Sequence, residues 1–204
     1  SAFDIFDLPE IEALLTGYCR FVCVVRHPLD VIASMKELID RMGQNPPELR
    51  PWMARHESYY LAWAQAWADL TAALLDLHDR LGAQSLLYRY EDLAADPQAT
   101  LRRITDFAGL EPFAAAAEPD VDQIGLGDWK IFSTGRVSQS SVARWRRSLP
   151  RASAAAAVGI VGPLMERLGY ERPEVRGPRS RADRIRQYQR ARQLAKSAGE
   201  GGRT

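Results

Sequence analysis

The chain has 204 residues, 46% of them apolar and 26% charged, which excludes global disorder and suits one domain or slightly more. Lys and Arg number 27 against 26 Asp and Glu, so attraction to nucleic acid or a membrane is excluded as a property of the whole molecule. With no run of 18 apolar residues, no leader pattern in Ser1-Ala2-Phe3-Asp4 and only Cys19 and Cys23 as thiols, the expectation is a cytoplasmic protein. It is expected to carry no membrane span, disulfide framework or metal, since His27, His56 and His78 are scattered.

Pro9 to Leu15 reads as a first helix. Phe21-Val22-Cys23-Val24-Val25 is a continuous β-branched and aromatic run, the pattern of a parallel strand buried on both faces. Pro28 to Met42 reads as a helix with Val31, Ile32, Met35, Leu38 and Ile39 on one face. Trp52 to Leu81 reads as one long helix, because Tyr60, Trp63, Trp67, Leu70, Leu74, Leu77 and Leu81 recur in steps of three and four. Ser85 to Tyr90 is a second strand. Asp96-Pro97 opens a helix that runs to Phe107 and stops at Gly109. Ser140 or Ser141 caps a helix through Trp145, and Arg151 to Leu168 forms the last core helix. Strands alternating with helices predict an α/β domain.

Composition shifts after Pro173, where arginine dominates and few large apolar residues remain. The expected organisation is an α/β domain over 1–172 and a basic tail over 173–204, either a surface helix or disordered. The tail has little aromatic content beyond Tyr188, so no nucleic-acid partner is expected.

Two constellations carry chemistry. Val25-Arg26-His27-Pro28-Leu29-Asp30 sets Arg26 at the carboxyl end of the first strand, where open α/β sheets bind ligands. Pro28 opens a helix there, so backbone N–H groups face the same space, and Ser34 follows one turn further on. An arginine fork, a hydroxyl and a helix start suit a phosphate monoester. A carboxylate-paired Arg26 with Ser34 facing solvent is the plainer alternative. The second constellation is Tyr88-Arg89-Tyr90-Glu91-Asp92-Leu93 at the end of the second strand. Tyr90 there also suits a strand-end core position. Glu91 and Asp92 read as residues that fix loop geometry, Trp145 as packing, and Arg144, Arg146 and Arg147 as candidates for a solvated face.

Taken together, these stretches resemble the PAPS-dependent sulfotransferase family. The spacing from Arg26 to Ser34 is similar to its 3′-phosphate motif, and Tyr90-Glu91-Asp92-Leu93 to its second signature. Gly125 to Lys130, Arg136 to Arg147 and Leu164 to Tyr170 are similar to the closing segments of bacterial members. The resemblance covers about residues 15–170. It implies a P-loop-like three-layer fold with a central parallel sheet and PAPS as co-substrate. Arg26 and Ser34 would hold the 3′-phosphate, Tyr90 would meet the adenine edge, and Arg136 and Lys130 would cover the nucleotide. The acceptor would be a small molecule or a peptide, offering a hydroxyl or an amine.

One family element is missing from the sequence. The loop that cradles the 5′-phosphosulfate, a Ser-Gly-Thr pattern opening a helix, occurs nowhere. No catalytic base is assigned. The expectation is therefore the C-terminal two-thirds of a sulfotransferase with an incomplete central sheet. The loop would come from an absent N-terminal segment or a companion chain, and a homo-oligomer is one possible form. The alternative is a non-catalytic module that binds a nucleotide or a partner.

Overall fold

The computed structural model describes residues 8–43, 45–111 and 139–174. The elements in order are α1 (Leu8–Leu15), β1 (Phe21–Val25), α2 (Pro28–Met42), α3 (Arg50–Met53), α4 (Tyr59–Leu81) and β2 (Ser85–Arg89). Then come α5 (Tyr90–Ala95), α6 (Pro97–Ala108), α7 (Trp145–Ser148) and α8 (Arg151–Arg167). The described residues are mostly helical around a two-stranded parallel sheet, an arrangement compatible with an α/β fold. β1 and β2 pair in register from Phe21 opposite Ser85 to Val25 opposite Arg89. Parallel pairing needs a long crossover, and α2, α3 and α4 supply it.

Local chemistry accounts for the element ends. Pro28 sits at the start of α2, where its missing N–H costs nothing, and Gly43 closes the helix at φ 71° with its N–H on the Ile39 carbonyl. Asp96 caps α6 by accepting from the Ala99 N–H at 2.9 Å. Pro163 lies inside α8, yet the helix continues. Pro163 and Gly159, whose carbonyl loses its helical donor, are both exposed, which lowers the cost of what the ring removes.

The core sits among α2, α4, α7 and α8, with Leu29, Ile32, Trp63, Trp67, Val161 and Met165 at its centre. α4 packs along α8 and touches both strands. Cys23, Val25 and Ser85 are buried on the covered sheet face.

Several expectations are corrected. β1 is not buried on both faces, because Val22 and Val24 are 42% and 50% exposed and the helices touching the sheet cover its other side. The helix expected from Trp52 to Leu81 is two helices, α3 and α4, separated at Ser58, which is extended at φ −101°. The break has a packing reason. Trp52 Nε1 donates to Asp69 Oδ2 at 2.7 Å, whereas one continuous helix would hold these residues about 25 Å apart. The buried face of α4 is also wider than the leucine stripe, taking in Ala62, Ala66, Thr71 and Leu75. Tyr90 leaves the second strand and opens α5. Trp145 begins a short helix instead of ending one, since Ala143 at φ 55° turns the chain just before it.

Candidate functional site

The carboxyl ends of β1 and β2 bring Arg26 and Tyr90 together. The Arg26 guanidinium lies over the Tyr90 ring, 4.4 Å from its centroid. Arg26 Nη2 donates to the Ser141 carbonyl at 2.9 Å, and the Tyr90 hydroxyl bonds the Ser141 hydroxyl at 2.8 Å. Arg26 Nε is buried with no hydrogen-bond partner. A cation donor left over at a strand end has the chemistry to receive an anion.

The backbone around Arg26 is pinned at two points, one of them braced by a further bond. Trp67 Nε1 of α4 donates to the Arg26 carbonyl at 3.2 Å. The His27 N–H donates to Glu91 Oε1 at 2.9 Å, and the Tyr170 hydroxyl donates to Glu91 Oε2 at 2.7 Å. Glu91 therefore ties the end of β1 to the chain just past α8. Asp92 pairs with Arg89 at 2.9 Å, which holds its carboxyl below the usual range. The His27 ring stacks parallel to Trp145 at 6.0 Å and meets Tyr170 edge-on at 5.3 Å. Burial pushes the His27 imidazole down; Asp30 and Glu91 oppose the shift, while Arg146 and Arg26 add to it. Burial and the bond to Glu91 push the Tyr170 phenol well above its ordinary value.

Ser34 is buried on α2. It stands four residues after Asp30 and three before Glu37, on one face of the helix. That face meets the segment 139–148, because Asp30 bonds the amides of Ala143 and Trp145 and Glu37 pairs with Arg144. Arg26 and Tyr90 thus meet this segment through Ser141, and Ser34 lies on the α2 face that meets the same segment. Lys130 and Arg136 lie outside the described residues.

Three contributors were not singled out from the sequence. Asp30 stands there only as part of the motif around Arg26, Ser141 only as a cap, and Trp67 only as part of a packing stripe. A separate cleft of about 370 Å³ opens beside Val25, with His78, Arg89, Arg103 and Arg167 among its lining residues. Arg89 and Arg167 there are already paired, with Asp92 and Asp79.

The profile of the sulfotransferase family matches residues 5–115, more than half of the chain. The chain belongs to the sulfotransferase family. The matched stretch contains Arg26, Ser34 and Tyr90 and ends before Ser141. A curated relative, a flavonol sulfotransferase-like protein of Flaveria bidentis, is 27% identical over 109 residues. That alignment takes in 50% of this sulfotransferase-family chain and 34% of the relative, so the chain spans about a third of the relative's length. No helix among the described residues is long and apolar enough to cross a membrane.

Proposed function

We propose that this chain forms the 3′-phosphate and adenosine part of a PAPS site, in an enzyme that moves a sulfuryl group to an acceptor hydroxyl or amine. The observation that carries this reading is the buried Arg26 Nε without a partner, at a strand end beside the start of α2. Arg26 and Ser34 hold the 3′-phosphate, and Tyr90 meets the adenine edge. Arg136 and Lys130 cover the nucleotide. PAPS supplies an activated sulfuryl group, whose bond to the phosphate oxygen breaks as a bond to the acceptor oxygen or nitrogen forms, leaving adenosine 3′,5′-bisphosphate while the acceptor's proton passes to a base or to water. The acceptor is a small molecule or a peptide. No metal is needed for this reading.

The reading extends to architecture. The α/β domain occupies 1–172, followed by a basic tail over 173–204. The parent fold is a three-layer, P-loop-like one, in which a further strand, from an N-terminal segment or a companion chain, adds to the sheet and brings the 5′-phosphosulfate loop. The exposed Val22 and Val24 support that reading, since a sheet of two strands is marginal alone.

Calorimetry with adenosine 3′,5′-bisphosphate tests the site. Arg26→Ala should abolish measurable binding, because truncating one member of a buried charged contact costs roughly 2–5 kcal/mol. Ser34→Ala should cost less, about 1–2 kcal/mol. Unchanged affinity in a folded Arg26→Ala protein overturns the assignment. In a radiolabelled PAPS transfer assay, residues 1–204 alone should give no turnover.

A further inference from the structure

We infer that Asp30 is a positioning residue: it acts as an internal anion that shapes the turn over 141–145 against Arg26 and Tyr90. The inference deepens the nucleotide-site reading and rests on it. Asp30 is fully buried at the start of α2. Both of its carboxylate oxygens are used. Oδ2 accepts from the Ala143 N–H at 2.7 Å, and Oδ1 accepts from the Trp145 N–H at 2.9 Å.

The backbone between those two amides has a particular form. Ala143 has φ 55° and is the one non-glycine residue with positive φ among the described residues. Arg144 follows in the right-handed helical region, at φ −63° and ψ −25°. A left-handed residue followed by a right-handed one turns alternate N–H groups toward a single point, a concavity that binds anions. Here the anion is the chain's own carboxylate. An alanine holds a left-handed φ only when its surroundings fix it, and Asp30 is the group that meets this turn on both sides of the strained residue.

The consequence reaches the site through Ser141, two residues before Ala143. Its carbonyl takes the Arg26 Nη2 donor and its hydroxyl meets the Tyr90 hydroxyl. Trp145, held by the same carboxylate, stacks on His27 beside Arg26. Asp30 touches neither Arg26 nor Tyr90 in any of these bonds; it sets where their shared neighbour stands. Its fixed hold leaves the Arg26 fork oriented before any nucleotide arrives, which is how preorganisation raises affinity.

Hydrogen exchange and nucleotide calorimetry on the full chain test this. Asp30→Ala should speed exchange at the Ala143 and Trp145 amides by at least about tenfold while α4 stays protected, and should weaken adenosine 3′,5′-bisphosphate binding by a similar factor. Adding Ala143→Gly, which accepts φ 55° without strain, should recover part of the lost affinity. Should Asp30→Ala fail to fold, Asp30→Asn keeps one acceptor oxygen and should show smaller changes in the same direction. Unchanged exchange at both amides in a folded variant overturns the hold on the turn. Faster exchange with unchanged affinity, or no recovery with glycine, overturns the positioning role. Absence of nucleotide binding by the wild type is a failure of the site assignment, and the exchange arm still decides whether Asp30 fixes the turn.

Discussion

Arg26 and Tyr90, from the ends of two neighbouring parallel strands, meet as a cation over an aromatic face and share Ser141 as a hydrogen-bond partner. Their pairing makes the position of the guanidinium depend on both the ring and the hydroxyl of Tyr90. Tyr90→Phe removes one hydrogen bond and should weaken nucleotide binding by about 1 kcal/mol. Tyr90→Ala also removes the ring and should cost a further 1 kcal/mol or so. Calorimetry on both variants checks the order; equal losses would show that the ring contributes nothing.

His27 makes stability depend on pH. Its imidazole is pushed below the ordinary value of about 6.5, mainly by burial. The unfolded chain therefore takes up a proton at a pH where the folded chain does not. Above about pH 6.5 both states are neutral at this residue and it has no effect. Below that, stability should fall with pH until the depressed folded value is passed, and then level off. Urea denaturation from pH 8 to pH 5 measures the slope. His27→Gln should flatten it, and an unchanged slope in that variant would remove His27 from the account.

Trp63 and Trp67 should behave as core residues. Both are nearly buried within the cluster that joins α2, α4 and α8. Replacing either by Ala should cost about 3–5 kcal/mol in chemical denaturation. Trp67→Phe keeps most of the packing but releases the Arg26 carbonyl, so its cost should be nearer 1 kcal/mol. A Trp67→Ala protein with an unchanged melting temperature and lost nucleotide affinity would contradict the packing role.

What the sequence made legible was what lies close along the chain. Arg26, Pro28 and Ser34 fall within nine residues, and strand, helix start and hydroxyl are readable from spacing alone. Tyr90 was singled out only through the resemblance, and the sequence placed it inside a strand that in fact ends at Arg89. The Asp30 clamp was not, because its two donors lie 113 and 115 residues away and are backbone groups of unremarkable residue types. The break between α3 and α4 was hidden for a related reason. The apolar steps begin only at Tyr60, and the polar stretch from Arg55 to Ser58 marks the gap, but the bond from Trp52 to Asp69 is what shows why the chain turns back. A run such as Phe21 to Val25 reports an apolar strand, but not how many layers cover it.

The bridge made by Glu91 has a consequence for the order of folding. It joins His27, 64 residues earlier, to Tyr170, 79 residues later, through one carboxylate. Contacts of such wide sequence separation carry a large loop-closure cost, so α4 and α8 can gain helical structure locally well before this knot closes. The carboxyl end of the sheet, where the nucleotide site is proposed, is then expected to assemble last and to open first. Glu91→Ala should accelerate unfolding while leaving the refolding rate nearly unchanged, a partition that stopped-flow chevrons measure directly. The residues that define the site would thereby belong to the least kinetically protected part of the domain, and a bound nucleotide would act on the protein's lifetime by tying that late-closing end shut.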